Sequence, residues 1–428
     1  MPMVKALECA ILTSFPSAMS DFVQTSIRHR TGHIVLDRPQ ALNSLSLEMV
    51  RALSAALLAW RDDPQVDAVV IRSSSEKALC AGGDIRFFYD AGLATPQGGS
   101  ALLEDFFTEE YALNHLIHFY PKPYIAVMDG VVMGGGMGVA QAGPGNRLRI
   151  VTDRTRMAMP EVNIGLFPDV GGSYFLSRLP GRLGLYLGLT GLTIGAADAL
   201  YTGLADVYLP EARMGSLLAL FDSTPGEGLP VAVKALAAPC QGQAGASPLA
   251  TARVALERHF SAGSVAAIMA SLAQDDSAFA AKALAAMRLR SPLMMCVTME
   301  LLQRGAHLGV ADCLRLERSV VRHNFAHGEV LEGVRALVVD KDNAPRWNPA
   351  SLDEVDAAMV ARFFAPVWPA AAHPLRNLDY LAALAVAQHD SFVGAEVLRQ
   401  PFRHVHGAVL AARATERHRQ VAAVVGLE

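Results

Sequence analysis

The chain has 428 residues, of which 52% are hydrophobic and 18% charged, and its formal net charge is −4. At about 150 residues per domain the length suits two or three units, and the composition excludes a mostly disordered chain. No basic block marks a nucleic-acid surface, and no run of about 18 uncharged apolar residues marks a membrane span.

Cys9, Cys80, Cys240, Cys296 and Cys313 are scattered without a CxxC pair. That pattern argues against a disulfide framework or a zinc knuckle and leads to an expectation of a reducing, cytoplasmic location. Residues 1–26 read as a disordered leader: the apolar stretch after Lys5 is broken by Glu8, and the first arginine is Arg28. His33–Asp37 alternates like a strand and is ended by Arg38-Pro39. Ser46 then caps a helix whose apolar residues run Leu47, Met49, Val50, Leu53, Leu57 and Leu58. Asp67–Arg72 is a continuous apolar strand, followed by a glycine turn over Leu79–Asp84 and a helix from Leu102 to His118. Pro123–Met128 is a further strand, Gly134-Gly135-Gly136 leads into a short helix, and Arg149–Thr152 is a fourth strand. This alternation predicts an α/β core over residues 27–221. Residues 222–250 read as a variable linker rich in Pro, Gly and Ser. Residues 251–365 read as helical, with caps at Ser291-Pro292 and Gly305, and 366–428 form an unassigned helical tail.

The glycine runs do not make a GxGxxG fingerprint, because Val139 and Gln141 stand where the last glycine would fall. A GxxxxGK[ST] loop, a GxSxG elbow and an HExxH pair are also missing, and His404 and His406 read as a solvated pair. Three stretches carry the chemistry: Ala81–Ile85, Met133–Gly138 and Met159–Gly172. Glycines at two separate turns leave main-chain N–H groups uncovered, and two such groups aimed at one point form an oxyanion hole. Glycine also serves tight turns and close packing. Glu161 sits among Met157, Met159, Ile164, Leu166 and Phe167, where desolvation raises a carboxyl pKa and suits a base or nucleophile. It equally suits the first turn of a helix opened by Pro160, and Asp169 equally suits a turn or cap.

Together these segments resemble the crotonase (enoyl-CoA hydratase/isomerase) superfamily, and within it the 3-hydroxyisobutyryl-CoA hydrolase branch. The resemblance runs from about Ile27 to Pro366 through RPQALNSL (38–45), ALCAGGDIR (78–86), FFTEEYALN (106–114), KPYIAVMDGVVMGGGMG (122–138) and MPEVNIGLFPDVGGSYFLSRL (159–179). It continues in EGVRALVVDKDNAPRWNP (332–349), the segment that separates the hydrolase branch from hydratases. The resemblance implies a spiral of ββα units followed by a helical C-terminal region. It implies an acyl-CoA substrate whose carbonyl lies between the N–H groups of Gly83 and Gly135. Glu161 matches the catalytic glutamate, Asp169 the aspartate of the hydrolase branch, and Glu110 a carboxylate that contacts the acyl part. Hydratases carry a second glutamate at the position of Gly138. The implied reaction is hydrolysis of a branched 3-hydroxyacyl-CoA in valine breakdown, with enoyl-CoA hydration or silent acyl-CoA binding as alternatives. No metal, redox cofactor, nucleic acid or membrane is implied; coenzyme A enters only as part of the substrate, and a homo-oligomer is compatible with the resemblance. Two departures stand out: about three extra residues near Pro144-Gly145-Asn146, and a tail beyond Pro366 without a counterpart.

Overall fold

The computed structural model describes residues 20–95 and 99–379. Nine strands among the described residues divide between two sheets. The larger has the order β1-β2-β3-β5-β7-β9, built from Val23–Arg28, Thr31–Leu36, Ala68–Ser73, Tyr124–Met128, Arg147–Val151 and Val207–Tyr208. Only β1 runs antiparallel to its neighbour, β2; the other pairings are parallel. Burial explains why β3 and β5 are legible as apolar runs: parallel strands covered on both faces need apolar side chains on both. The smaller sheet is parallel throughout, in the order β4 (Ala78–Cys80), β6 (Val131–Met133), β8 (Arg156–Ala158).

Ser46 caps the first helix as expected, whereas helix Ile85–Leu93 with its Asp84 cap was not read from the sequence. Helix α1 (Leu47–Arg61) opens on Ser46, whose Oγ accepts from Met49 N–H at 3.2 Å. Helix α2 (Ile85–Leu93) opens on Asp84, α3 spans Ala101–His118, and α4 (Gly135–Ala140) opens after Gly134. The core continues through α5 (Leu183–Thr190), α6 (Ala196–Thr202) and α7 (Met214–Phe221).

Three sequence expectations change. Residues 20–26 do not belong to a disordered leader: Ser20 bridges Val23, and β1 begins there. β1 is an edge strand with only its first residue buried, so it lacks the apolar alternation that betrays a strand. The supposed linker 222–250 contains α8 (Leu229–Ala237), which buries Leu229, Val233 and Ala237 at one-turn spacing. Its breakers sit at the helix start, with Gly228 as cap and Pro230 in the first turn, where proline is tolerated. The helical region consists of α9 (Arg253–Phe260), α10 (Val265–Ala273), α11 (Ala278–Met287), α12 (Pro292–Gly305), α13 (Val310–His327), α14 (Glu329–Val334) and α15 (Ala357–Phe363), with an irregular stretch over residues 340–351. Ser291 caps α12 as expected, but Gly305 is its last helical residue rather than its cap. A Cβ there would lie 2.3 Å from Ser173 O, so glycine permits the helix to touch the core. Cys9, residues 1–19 and the His404/His406 pair lie outside the described residues, as does the tail from residue 380.

Candidate active site

All three strands of the small sheet run the same way, so their C-terminal ends lie along one edge. The turn Ala81–Asp84 leaves β4 there, Gly134 leaves β6 and Pro160-Glu161 leaves β8. The carboxyl ends of parallel strands are where α/β folds place ligands.

The two glycine turns meet. A methyl group on Gly135 would lie 3.3 Å from Gly83 N, and one on Gly82 would lie 3.7 Å from Gly135 N. Around them, Leu45 N–H donates to Gly82 O, Asp84 N–H to Leu45 O, and Gly138 N–H to Gly134 O. None of these bonds uses the N–H of Gly83 or Gly135, which remain available as donors. Gly134 holds φ +50° and ψ −121°, a combination that a side chain resists, and it turns the chain from β6 into α4. The first glycine turn is braced from residues that carried no assigned role: Arg38 donates to Asp84 Oδ2 through both terminal nitrogens at 2.9 Å. Asn43, fully buried, donates to Ala78 O and Leu79 O at 3.1 and 3.0 Å. These two residues account physically for the RPQALN segment.

The carboxylates named from the sequence gather at the same edge. Glu161 opens a short 3-10 turn, Glu161–Ile164, after Pro160, so the helix-opening alternative holds as well. Its Oε1 would lie 2.7 Å from a Cβ on Gly134, and Glu110 Oε1 would lie 2.7 Å from a Cβ on Gly135. Glu161 Oε2 and Glu110 Oε1 are buried and have no hydrogen-bond partner among the described residues. Asp169 is buried too, and its Oδ2 accepts from Tyr111 Oη at 2.7 Å. Tyr111 was missed by sequence reasoning, although it follows Glu110 in the EEY motif. Burial, reinforced by the neighbouring Asp169 charge, holds the carboxyls of Glu161 and Glu110 well above the ordinary range. Burial pushes Asp169 up to about 6, opposed by the Tyr111 hydrogen bond.

This has a consequence for stability. Asp169 binds its proton more tightly folded than unfolded, so its contribution is full below the unfolded pKa of about 4 and is lost as pH rises through about 6. Asp169→Asn should therefore stabilise the folded state at pH 8 by on the order of 3 kcal/mol, read as a higher thermal midpoint, and the gain should shrink towards pH 4. Thermal melts of both proteins across that range check it; a gain that grows as pH falls refutes it.

Gly138 packs against α3. A Cβ there would meet Asn114 Nδ2 at 2.7 Å and Val170 Cβ at 2.8 Å. A cavity of about 60 Å³ adjoins it, lined among others by Asn114, His118, Gln141, Val170 and Tyr174. Both amide atoms of Asn114 are buried without partners among the described residues. The extra residues near Pro144–Asn146 form a turn that ends where β7 begins, at Arg147.

The distant segment 332–349 packs on the turn that carries Glu161. Gly333 lies so close to Ile164 that a Cβ would sit 2.3 Å from its carbonyl oxygen, and Trp347 borders Gly165. Arg335 braces the segment through Glu332, Asp340 and Asp342.

Free main-chain amides from two turns, set beside a buried carboxyl group whose ionisation is opposed by its surroundings, define a site for reactions in which a carbonyl oxygen gains negative charge. The match to the enoyl-CoA hydratase/isomerase family model covers residues 31–364, and the chain belongs to this family. It is 39% identical over 339 residues to a protein named "3-hydroxyisobutyryl-CoA hydrolase, mitochondrial" from Danio rerio, covering 78% of this chain and 87% of that one. A protein of the same name from Homo sapiens is 35% identical over 335 residues, with coverage of 76% and 83%. A solved structure of a protein named carnitinyl-CoA dehydratase, from Mycobacterium thermoresistibile, superposes with a TM-score of 0.75 at 40% identity, over 82% of this chain and 98% of that one. The mitochondrial designation of the hydrolase relatives overturns the expectation of a cytoplasmic location. Scattered cysteines exclude only an oxidising compartment and do not distinguish one reducing compartment from another.

Proposed function

We propose that the protein hydrolyses a short branched 3-hydroxyacyl-CoA thioester, 3-hydroxyisobutyryl-CoA above all, to free CoA and the hydroxy acid, as in valine breakdown. The observation that carries the reading is the placement of Glu161 and Glu110 on either side of the Gly134-Gly135 turn, with Asp169 in the same buried cluster. The names of the relatives support it. The thioester oxygen is held by the N–H groups of Gly83 and Gly135, each well-aimed donor being worth roughly 3–4 kcal/mol to the transition state. The Glu161 carboxylate attacks the carbonyl carbon and CoA leaves as the thiol, taking a proton from the carboxyl cluster. Water then opens the mixed anhydride. In the alternative route Glu161 deprotonates the water that attacks directly. Asp169, oriented by Tyr111, positions the water or Glu161, and Glu110 takes the 3-hydroxyl. This chemistry uses no metal and no redox cofactor.

The likeness to a protein named as a dehydratase favours a second reading, hydration or dehydration of an enoyl-CoA. Syn addition of water uses two carboxylates about one water, and the second belongs at position 138. There, Asn114 and Val170 leave no room even for a Cβ. Thiol release from a panel of acyl-CoAs, measured beside crotonyl-CoA hydration, tests the choice. Hydrolysis of branched 3-hydroxyacyl-CoA should exceed hydration by at least about 100-fold, the weight of a missing acid–base group. Faster hydration would replace the proposal with the second reading.

A further inference from the structure

We infer that helix α13 is a spacer that fixes the carboxylate-bearing segments relative to one another, with Glu317 and Asn324 as its positioning residues. The inference rests on the proposed function, which makes Glu161 and Asp169 the groups to be positioned.

Glu317 and Asn324 are both fully buried and lie seven residues apart, which places them two turns apart on one face of the helix. Each grips a different loop of the core. The Glu317 carboxylate accepts from Gly171 N–H at 2.8 Å, from Ser173 N–H at 2.9 Å and from the Ser173 hydroxyl. These residues directly follow Asp169-Val170. Asn324 Nδ2 donates to Gly165 O at 2.8 Å, at the close of the turn that Glu161 opens. The same helix holds α3, which carries Glu110 and Tyr111: Arg318 donates to Thr108 Oγ1 at 3.0 Å and pairs with Glu104, and Arg322 lies 3.0 Å from Glu104.

The loop needs such a hold. Val170 has φ +51°, a conformation that a β-branched residue resists, and it directly follows Asp169. A buried carboxyl group is also a costly way to cap a loop, since burial, reinforced by the Asp169 charge, outweighs the hydrogen bonds from Ser173 and Gly171 and pushes Glu317 up to about 8. An apolar residue would fill the space without that cost. What only a two-oxygen acceptor does is fix three donors of one loop at once, and with them the direction of Asp169.

Glu317→Gln keeps the shape but turns an –NH2 group towards a backbone donor. The variant should lose about 10- to 100-fold in kcat, the effect of a displacement of about 1 Å in a catalytic group. KM should stay within about twofold, because ground-state binding is untouched. Added to Asp169→Asn, which must itself be slow, Glu317→Gln should cost less than about twofold more, because residues that act through one another are not additive. Asn324→Ala should show the same split between kcat and KM. Wild-type kcat in Glu317→Gln, a loss expressed in KM, or losses that multiply in the double variant would each overturn the spacer. If Asp169→Asn proves fully active, the role of Asp169 in the proposed function falls, and the spacer with it. A slow Asp169→Asn beside a fast Glu317→Gln removes the spacer alone. Should Glu317→Gln fail to fold, Ser173→Ala removes one of the same bonds from the other side. It should then show a smaller loss with the same split, and unchanged kcat would overturn the spacer.

Discussion

Glu161→Gln should fold, melt no lower than the wild-type protein at pH 8, and turn over its acyl-CoA substrate at least about 100-fold more slowly. The side chain is buried and its Oε2 has no partner among the described residues, so the amide replaces it without breaking a hydrogen bond there. Burial and the adjacent Asp169 oppose ionisation of Glu161. Removing that group relieves an electrostatic cost in the folded state while abolishing the nucleophile or base. Stability and activity should therefore move in opposite directions, which a merely structural glutamate would not produce. Thiol release and a thermal melt on the same preparation check both halves, and near-full hydrolysis would end the proposal. A single turnover of the wild-type enzyme in isotopically labelled water separates the two routes. Label appearing in Glu161 establishes the anhydride; label confined to the released acid excludes only water attack at the Glu161 carbonyl, and trapping of an acyl-enzyme then separates the two routes.

Gly136→Ala should be severely damaging to activity. A Cβ at this position would lie 2.2 Å from Cys80 O and 2.9 Å from its carbonyl carbon. Neither atom can yield, because both belong to β4 in the middle of a packed core. The strand leading to Gly83 and the helix opening at Gly135 would be forced apart, and those carry the two amides proposed to hold the thioester oxygen. The loss should be about 100-fold or more in kcat, the measured scale for one misplaced donor, accompanied by a lower thermal midpoint. Steady-state kinetics with folding monitored by circular dichroism tests this. A variant with wild-type kcat would show that the two turns need not meet.

Much of the site was legible because its parts are chemically unusual. A glutamate after proline among apolar residues, and glycines clustered at two turns, stand out from ordinary α/β sequence at Glu161, Gly83 and Gly135. Tyr111, Arg38, Asn43 and Glu317 were not legible, because each is an ordinary helix or loop residue until its partner is known. Tyr111 touches Asp169 across 58 positions and Glu317 touches Ser173 across 144. The same limit hid β1, an exposed edge strand, and α8, whose apolar residues lie between breakers that serve as its caps. The segment 332–349 had a family association but no role until Gly333 and Trp347 were found against the turn of Glu161.

The sequence by itself determined the α/β class, the strands β2, β3, β5 and β7, and the helix caps at Ser46 and Ser291. Those are local properties, set by hydrophobic period, capping and side-chain type within a few neighbours. Only the tertiary structure decided that β4, β6 and β8 end on one edge, that Asn114 and Val170 crowd position 138, and that helix α13 bonds both the loop after Asp169 and the turn opened by Glu161. Such arrangements depend on packing between distant segments, and local propensity carries no record of what a residue will meet across the core.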